Sequence, residues 1–152
     1  MELELSEVIQ ADRIKLNMKA KNKEEALKEL TDLLFDSGIL SEKELFLKDV
    51  YLRETEGMTG IGNGIAIPHG KSKYVKNTSL AFGRIDNGIE WETLDGEPVK
   101  FIVLFAVDEA DKTSTHVKLL AKVAGKLAND QVCKDLVNAK TAEEVLHIFS
   151  VK

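Results

Sequence analysis

Residues 101–107, Phe-Ile-Val-Leu-Phe-Ala-Val, are apolar without a break. A strand with one wet face alternates apolar and polar residues, so an unbroken run describes a strand covered on both faces. Such a strand needs a packed layer on each side. The remaining sequence must supply those layers, and this requirement excludes most other architectures.

Helical periodicity occurs on both sides of the run. Upstream, Asn22 with Glu25 forms a capping-box variant, and Ala26, Leu27, Leu30, Leu33 and Leu34 recur at helical spacing up to Gly38. Ser41 with Glu44 predicts the cap of a second helix, carrying Leu45, Phe46, Val50 and Tyr51 and ending near Arg53 or Glu54. Downstream, three stripes follow: Leu119, Leu120, Val123, Ala124 and Leu127; then Val132, Cys133, Leu136 and Val137; then Val145, Leu146 and Phe149, with Thr141 and Glu144 as a capping box. Residues 14–18 and 78–85 read as further strands. Asp86-Asn87-Gly88 and Asp95-Gly96 read as turns enclosing a short strand over 89–93. The expected fold is α/β: a mixed parallel/antiparallel sheet of about five strands sandwiched by helices on both sides. A single domain over 1–152 is expected, without repeats or linkers.

Composition narrows the function. Charged residues make up 31% and are mixed in sign, with a formal net charge of -5, so the basic footprint of a nucleic-acid binder is missing. The acidic start, Met-Glu-Leu-Glu-Leu-Ser-Glu, does not read as a signal peptide, and no apolar run approaches the ~18 residues that span a bilayer. A cytoplasmic protein is expected. The lone Cys133 permits no intrachain disulfide and falls within a helical stripe, as a buried structural thiol would.

The densest chemistry is GIGNGIAIPHGKS, residues 60–72. Its tail, Gly70-Lys71-Ser72, resembles a nucleotide-binding P-loop. That motif requires a glycine at position 65, where this chain has Ile65, and it follows a strand, whereas a helix precedes this segment. Gly60, Gly62 and Gly64 also lack the spacing of a dinucleotide fingerprint. They indicate a tight turn or a close approach to the backbone.

His69 follows Pro68, whose fixed φ limits its swing. A histidine so placed can be a nucleophile, a base or a metal ligand. None of His69, His116 and His147 is paired at a metal-binding interval, so no metal site is expected. His116 lies in the first turn of the helix bearing Leu119 and Leu120, on the inward face. Free N–H groups and the positive dipole end there disfavour an imidazolium and favour an anion. Arg53, at the end of the second helix, offers a planar fork suited to phosphoryl oxygens. Lys71 would be a nearby point charge, and Glu54 and Glu56 read as solvated.

Taken together, the segment RETEGMTGIGNGIAIPH (53–69) and the later HVKLLAKVA (116–124) resemble one known family. They are similar to the two active-site regions of enzyme IIA domains of the fructose/mannitol class (type 2). These domains belong to the bacterial phosphoenolpyruvate-dependent sugar phosphotransferase system. The resemblance spans essentially the whole chain. It implies an enzyme component with a phosphohistidine intermediate and an α/β sandwich with a mixed sheet. His69 would accept phosphate from the phosphocarrier protein HPr, through Nε2, and pass it to a cysteine of enzyme IIB. His116 would be the supporting histidine, and Arg53 would help stabilise the phosphate. Donors on the loop would come from Thr59, Gly60, Gly62 and Gly64. No cofactor is implied beyond the phosphoryl group carried on His69, and any membrane association would be indirect, through the sugar permease. Relatives that regulate other proteins, as in nitrogen-related phosphotransfer systems, look alike, so transport and regulation both remain open.

Overall fold

The computed structural model describes residues 9–111 and 115–150. The acidic start of the chain therefore lies outside the described residues. Six strands form one sheet: β1 (Ile14–Lys15), β2 (Gly60–Gly62), β3 (Ile65–Ala66), β4 (His69–Ser72), β5 (Ser79–Ile89) and β6 (Val99–Asp108). Among the described residues five α-helices accompany them: α1 (Lys23–Asp36), α2 (Lys43–Glu54), α3 (Thr115–Leu127), α4 (Asp130–Val137) and α5 (Ala142–Ser150).

The apolar run occupies β6, the hub of the sheet. It pairs antiparallel with β5 and parallel with both β3 and β4, which lie end to end along its other edge. Beyond β5 lies β1, in parallel, and beyond β3 lies β2, antiparallel. Alternate β6 residues point to opposite faces, as strand geometry requires. Ile102, Leu104 and Ala106 enter a core with α1 and α2 residues such as Leu27, Leu30 and Val50. Phe101, Val103, Phe105 and Val107 enter a second core with Leu119, Val123, Leu136 and Phe149 of α3, α4 and α5. The expected mixed sheet between two helical layers is what the chain forms.

The local signals fared unequally. The Asn22 side chain caps α1 by accepting from Glu25 N at 2.9 Å, and Glu25 Oε1 reaches back to Lys21 N. Gly38 ends the helix with φ +84°. Thr141 caps α5 by accepting from Glu144 N. The expected Ser41 cap does not form. Ser41 N and Oγ both donate to Tyr74 O, and α2 begins at Lys43 with no side-chain cap. The expected turn at Asp86-Asn87-Gly88 is also absent. β5 runs through it, and the surplus residues are taken up as a register shift between Arg84 and Ile89, with Gly88 at φ +73°. The short strand expected over 89–93 reduces to Ile89 at the end of β5 and an isolated bridge between Thr93 and Gly60. Among the described residues no helix is long and apolar enough to cross a membrane.

Candidate functional site

The glycine-rich segment is a hairpin rather than an open loop. Asn63 (φ 56°) and Gly64 (φ +79°) are the two central residues of its turn, and this pair of positive φ values is the one that Asn-Gly favours between antiparallel strands. β2 and β3 pair across it. Gly60 is needed for space, because a Cβ there would meet Thr93 Cγ2 at 2.3 Å and Glu92 O at 2.5 Å. Asp95 braces the tip, Oδ2 accepting from Asn63 N at 3.0 Å.

After the hairpin the chain crosses Pro68, whose carbonyl accepts from Phe105 N, and enters β4 beside β6. His69 is therefore the first residue of a strand, opposite Phe105, and is only half-buried. Backbone pairing holds it more firmly than a loop would. The next residue, Gly70, sits under α2 against Phe46 and Val50. That close approach brings the last turn of α2 over β4, and with it Arg53.

Arg53 Nε donates to His69 Nε2 at 3.0 Å, and Arg53 Nη1 donates to Gly57 O at 3.2 Å. Arginine keeps its proton at any ordinary pH, so it must be the donor and Nε2 must offer a lone pair. The ring proton then belongs on Nδ1, which faces Ile67 O at 3.5 Å. Burial pushes the His69 pKa below the ordinary histidine value, and the Arg53 charge pushes the same way. The Ile67 carbonyl, Glu54 and Glu56 oppose them without prevailing. The site thus holds a neutral imidazole of defined tautomer with its Nε2 lone pair directed at a cation.

Glu54 departs from the solvated reading. Its side chain is only 8% exposed and pairs with Lys23 Nζ at 2.7 Å through Oε2, while Oε1 accepts from Thr59 Oγ1 at 2.7 Å. Trp91 Nε1 donates to the same Thr59 hydroxyl at 3.1 Å, and Lys23 Nζ lies 5.0 Å from the centre of the Trp91 ring. Burial works against the Lys23 charge, but Glu54 and Glu92 outweigh it and raise its pKa. This chain of contacts ties α1, the end of α2 and the entry to β2 together beside Arg53. The only sequence signals for it were local, Glu54 following Arg53 and Thr59 lying five positions on; Lys23 and Trp91, which bonds Thr59, come from distant segments, and their meeting is a matter of topology.

The structure joins Arg53 to His69 and places Thr59 one side-chain contact from Arg53's neighbour. The Thr59 hydroxyl is fully engaged there, donating to Glu54 and accepting from Trp91. His116 is the second residue of α3 and half-buried, its Nδ1 enclosed without a hydrogen-bond partner. Among the described residues no hydrogen bond links it to Arg53 or His69. Lys71 is exposed on β4. Cys133 is buried, its Sγ donating to Leu127 O at 3.1 Å, and burial raises its pKa, with Asp130 adding to the rise. No group of three His, Cys, Asp or Glu among the described residues could hold a metal ion.

Comparison with known proteins gives this geometry a context. The family profile described as "Phosphoenolpyruvate-dependent sugar phosphotransferase system, EIIA 2" matches residues 7–152. The fructose-specific EIIABC component of Bacillus subtilis (strain 168) is 32% identical over 148 residues, covering 97% of this chain and 23% of that protein. The chain thus spans about a quarter of that relative's length. The crystal structure of nitrogen regulatory protein IIA-Ntr from Neisseria meningitidis superposes with a TM-score of 0.86 at 30% identity, covering 95% of this chain and 97% of that one. The Escherichia coli complex of enzyme IIAMTL with phosphorylated enzyme IIBMTL shares the fold, with a TM-score of 0.79 at 23% identity over 93% of this chain and 96% of that one. By sequence and by fold, this chain belongs to the type-2 EIIA family of the phosphoenolpyruvate-dependent sugar phosphotransferase system.

Proposed function

We propose that this chain is a cytoplasmic phosphocarrier whose His69 accepts a phosphoryl group from phospho-HPr and delivers it to a cysteine of enzyme IIB. The observation that carries the reading is the 3.0 Å contact from Arg53 Nε to His69 Nε2. It describes a nucleophile whose lone pair lies on Nε2 and a cation already beside the atom to be phosphorylated. The Nε2 lone pair attacks phosphorus, and the bond from phosphorus to the donor's histidine nitrogen breaks, its electron pair returning to that ring. Nδ1 keeps its proton throughout. Because Nε2 has one lone pair, the Arg53 N–H moves from Nε2 to a phosphoryl oxygen as the attack begins. Transfer onward reverses the geometry, with a thiolate attacking phosphorus and Nε2 leaving with its electron pair.

Phosphoryl transfer of this kind asks for in-line positioning and charge stabilisation, and no cofactor enters. His116 joins as the second imidazole at the phosphoryl group through its other ring nitrogen, since its Nδ1 is enclosed. Thr59, Gly60, Gly62 and Gly64 contribute main chain and a low profile beside the docking partner, since the Thr59 hydroxyl is occupied. One arginine, rather than a cluster, suits a carrier that must release its phosphate. The test is labelling with phosphoenolpyruvate, enzyme I and HPr. Acid-labile phosphate should map to His69 and be lost in His69→Ala; label at the normal rate in that variant overturns the assignment.

The likeness to nitrogen regulatory IIA-Ntr favours a second reading, in which the same phosphohistidine controls protein binding. A IIB that accepts the label from this chain supports transport of a fructose- or mannitol-class sugar. Phosphorylation-dependent capture of a non-transport protein, with no acceptor IIB, supports regulation.

A further inference from the structure

A cavity of about 650 Å³ opens where the turn before β1, the start of β5 and the end of β6 meet. Its size falls within the roughly 300–1,000 Å³ of small-molecule sites. Arg13 lines it and is only 4% exposed. The Arg13 Nε is enclosed without a hydrogen-bond partner, and no salt bridge among the described residues includes this guanidinium. Burial lowers its pKa, with Asp12 opposing. Arginine nevertheless stays charged, and a buried charge with no carboxylate in contact is costly. The site therefore favours an anionic group against Arg13.

The rest of the lining limits what that anion can be. Asp108 and Asp111 also border the cavity. Asp108 Oδ1 accepts from Ala110 N at 2.9 Å, and its other oxygen has no hydrogen bond among the described residues. Asn77, Thr78 and Ser79 line it as well. The Asp108 carboxylate disfavours a dianion such as a phosphate ester, and Arg13 repels a simple cation. A ligand with one charge of each sign meets both. We propose that this cavity binds a small zwitterion of the amino-acid class, its carboxylate on Arg13 and its ammonium group toward Asp108.

The full chain, labelled with ¹⁵N, would be titrated with each common α-amino acid, and separately with acetate, methylammonium and inorganic phosphate. At least one amino acid should shift the amides of Asn77, Thr78 and Ser79 at a concentration about tenfold below that needed for acetate or methylammonium. Arg13→Lys should weaken that binding about tenfold, by replacing a planar fork with a point charge. Asp108→Asn keeps the Oδ1 acceptor and so the fold, and should abolish the preference over acetate. It therefore decides the matter even if Arg13→Lys does not fold. The proposal is overturned if no amino acid shifts these amides at about 10 mM, a concentration that detects even very weak sites. Phosphate or acetate binding as tightly as any amino acid would also overturn it, as would an unchanged preference in Asp108→Asn.

Discussion

Gly70→Ala tests whether the approach of α2 to β4 is what builds the site. A Cβ at position 70 would lie 2.8 Å from Val50 Cγ2, 3.1 Å from Phe46 Cε1 and 3.3 Å from Val50 N. Carbon pairs rest at about 3.5–4.0 Å, so α2 must retreat by ~0.7 Å at Val50. Val50 cannot turn aside, because a β-branched side chain in a helix has essentially one rotamer, and both it and Phe46 are fully buried. Arg53 stands three residues beyond Val50 on the same helical face and moves with it. The 3.0 Å contact to His69 Nε2 would then open to about 3.7 Å, beyond hydrogen-bond range. Overpacking of this kind costs about 1–3 kcal/mol. At ~2–4 °C per kcal/mol for a domain of this size, the melting temperature should fall by about 2–12 °C. Gly125→Ala is the control: nothing lies within 4 Å of its Cβ position, inside α3, and helix propensity favours the alanine by ~0.5–1 kcal/mol. Calorimetry gives the stabilities, and NMR titration of the His69 ring reports the site. With Arg53 further away, the His69 pKa should rise toward the ordinary value. A Gly70→Ala chain that melts with the wild type and leaves the His69 titration unmoved would refute the reasoning.

The other predictions concern charge and access. In the wild type His69 should titrate below the ordinary histidine value, and in Arg53→Gln its pKa should rise yet stay low, because burial, the larger cause, remains; NMR titration checks both. The sign for stability follows: below about pH 6.5 the unfolded histidine takes a proton that the folded one refuses, so the His69 contribution is lost as pH falls through that window. Urea unfolding across that range should show it, and His69→Ala should remove it. Glu54→Gln keeps an acceptor for Thr59 but loses the charge that pairs with Lys23 at 2.7 Å; it should cost about 1–2 kcal/mol, with Glu92 as the remaining partner. The same change should lower the His69 pKa further, since Glu54 raises it. Cys133, buried and bonded to Leu127 O, should react with an aromatic disulfide reagent only as fast as the chain unfolds; rapid reaction in the native state would contradict its burial.

The sequence by itself determined the layers. The unbroken apolar run of β6 demanded cover on both faces, and five helical stripes at 3.6-residue spacing supplied it, because burial of a periodic face is a local property that short segments carry. Asn22, Gly38 and Thr141 marked helix ends for the same reason: a cap satisfies backbone groups within a turn of itself. His69, His116 and Arg53 were also legible, but as residue types at suggestive positions. The tertiary structure decided wherever a partner lay far along the chain. Ser41 turned from its own helix to Tyr74, and β5 continued through Asp86-Asn87-Gly88, since pairing with β6 outweighed a local turn preference. Only the packing of α2 on Gly70 brought Arg53 to Nε2 and so selected the tautomer of His69. Glu54, read from sequence as a solvated carboxylate, became enclosed because Lys23 comes to it from α1 and Thr59, held by Trp91, closes over it. Periodicity records which face a residue turns inward; which distant side chain it meets there depends on how the strands are ordered, and the spacing of residues along the chain does not encode that.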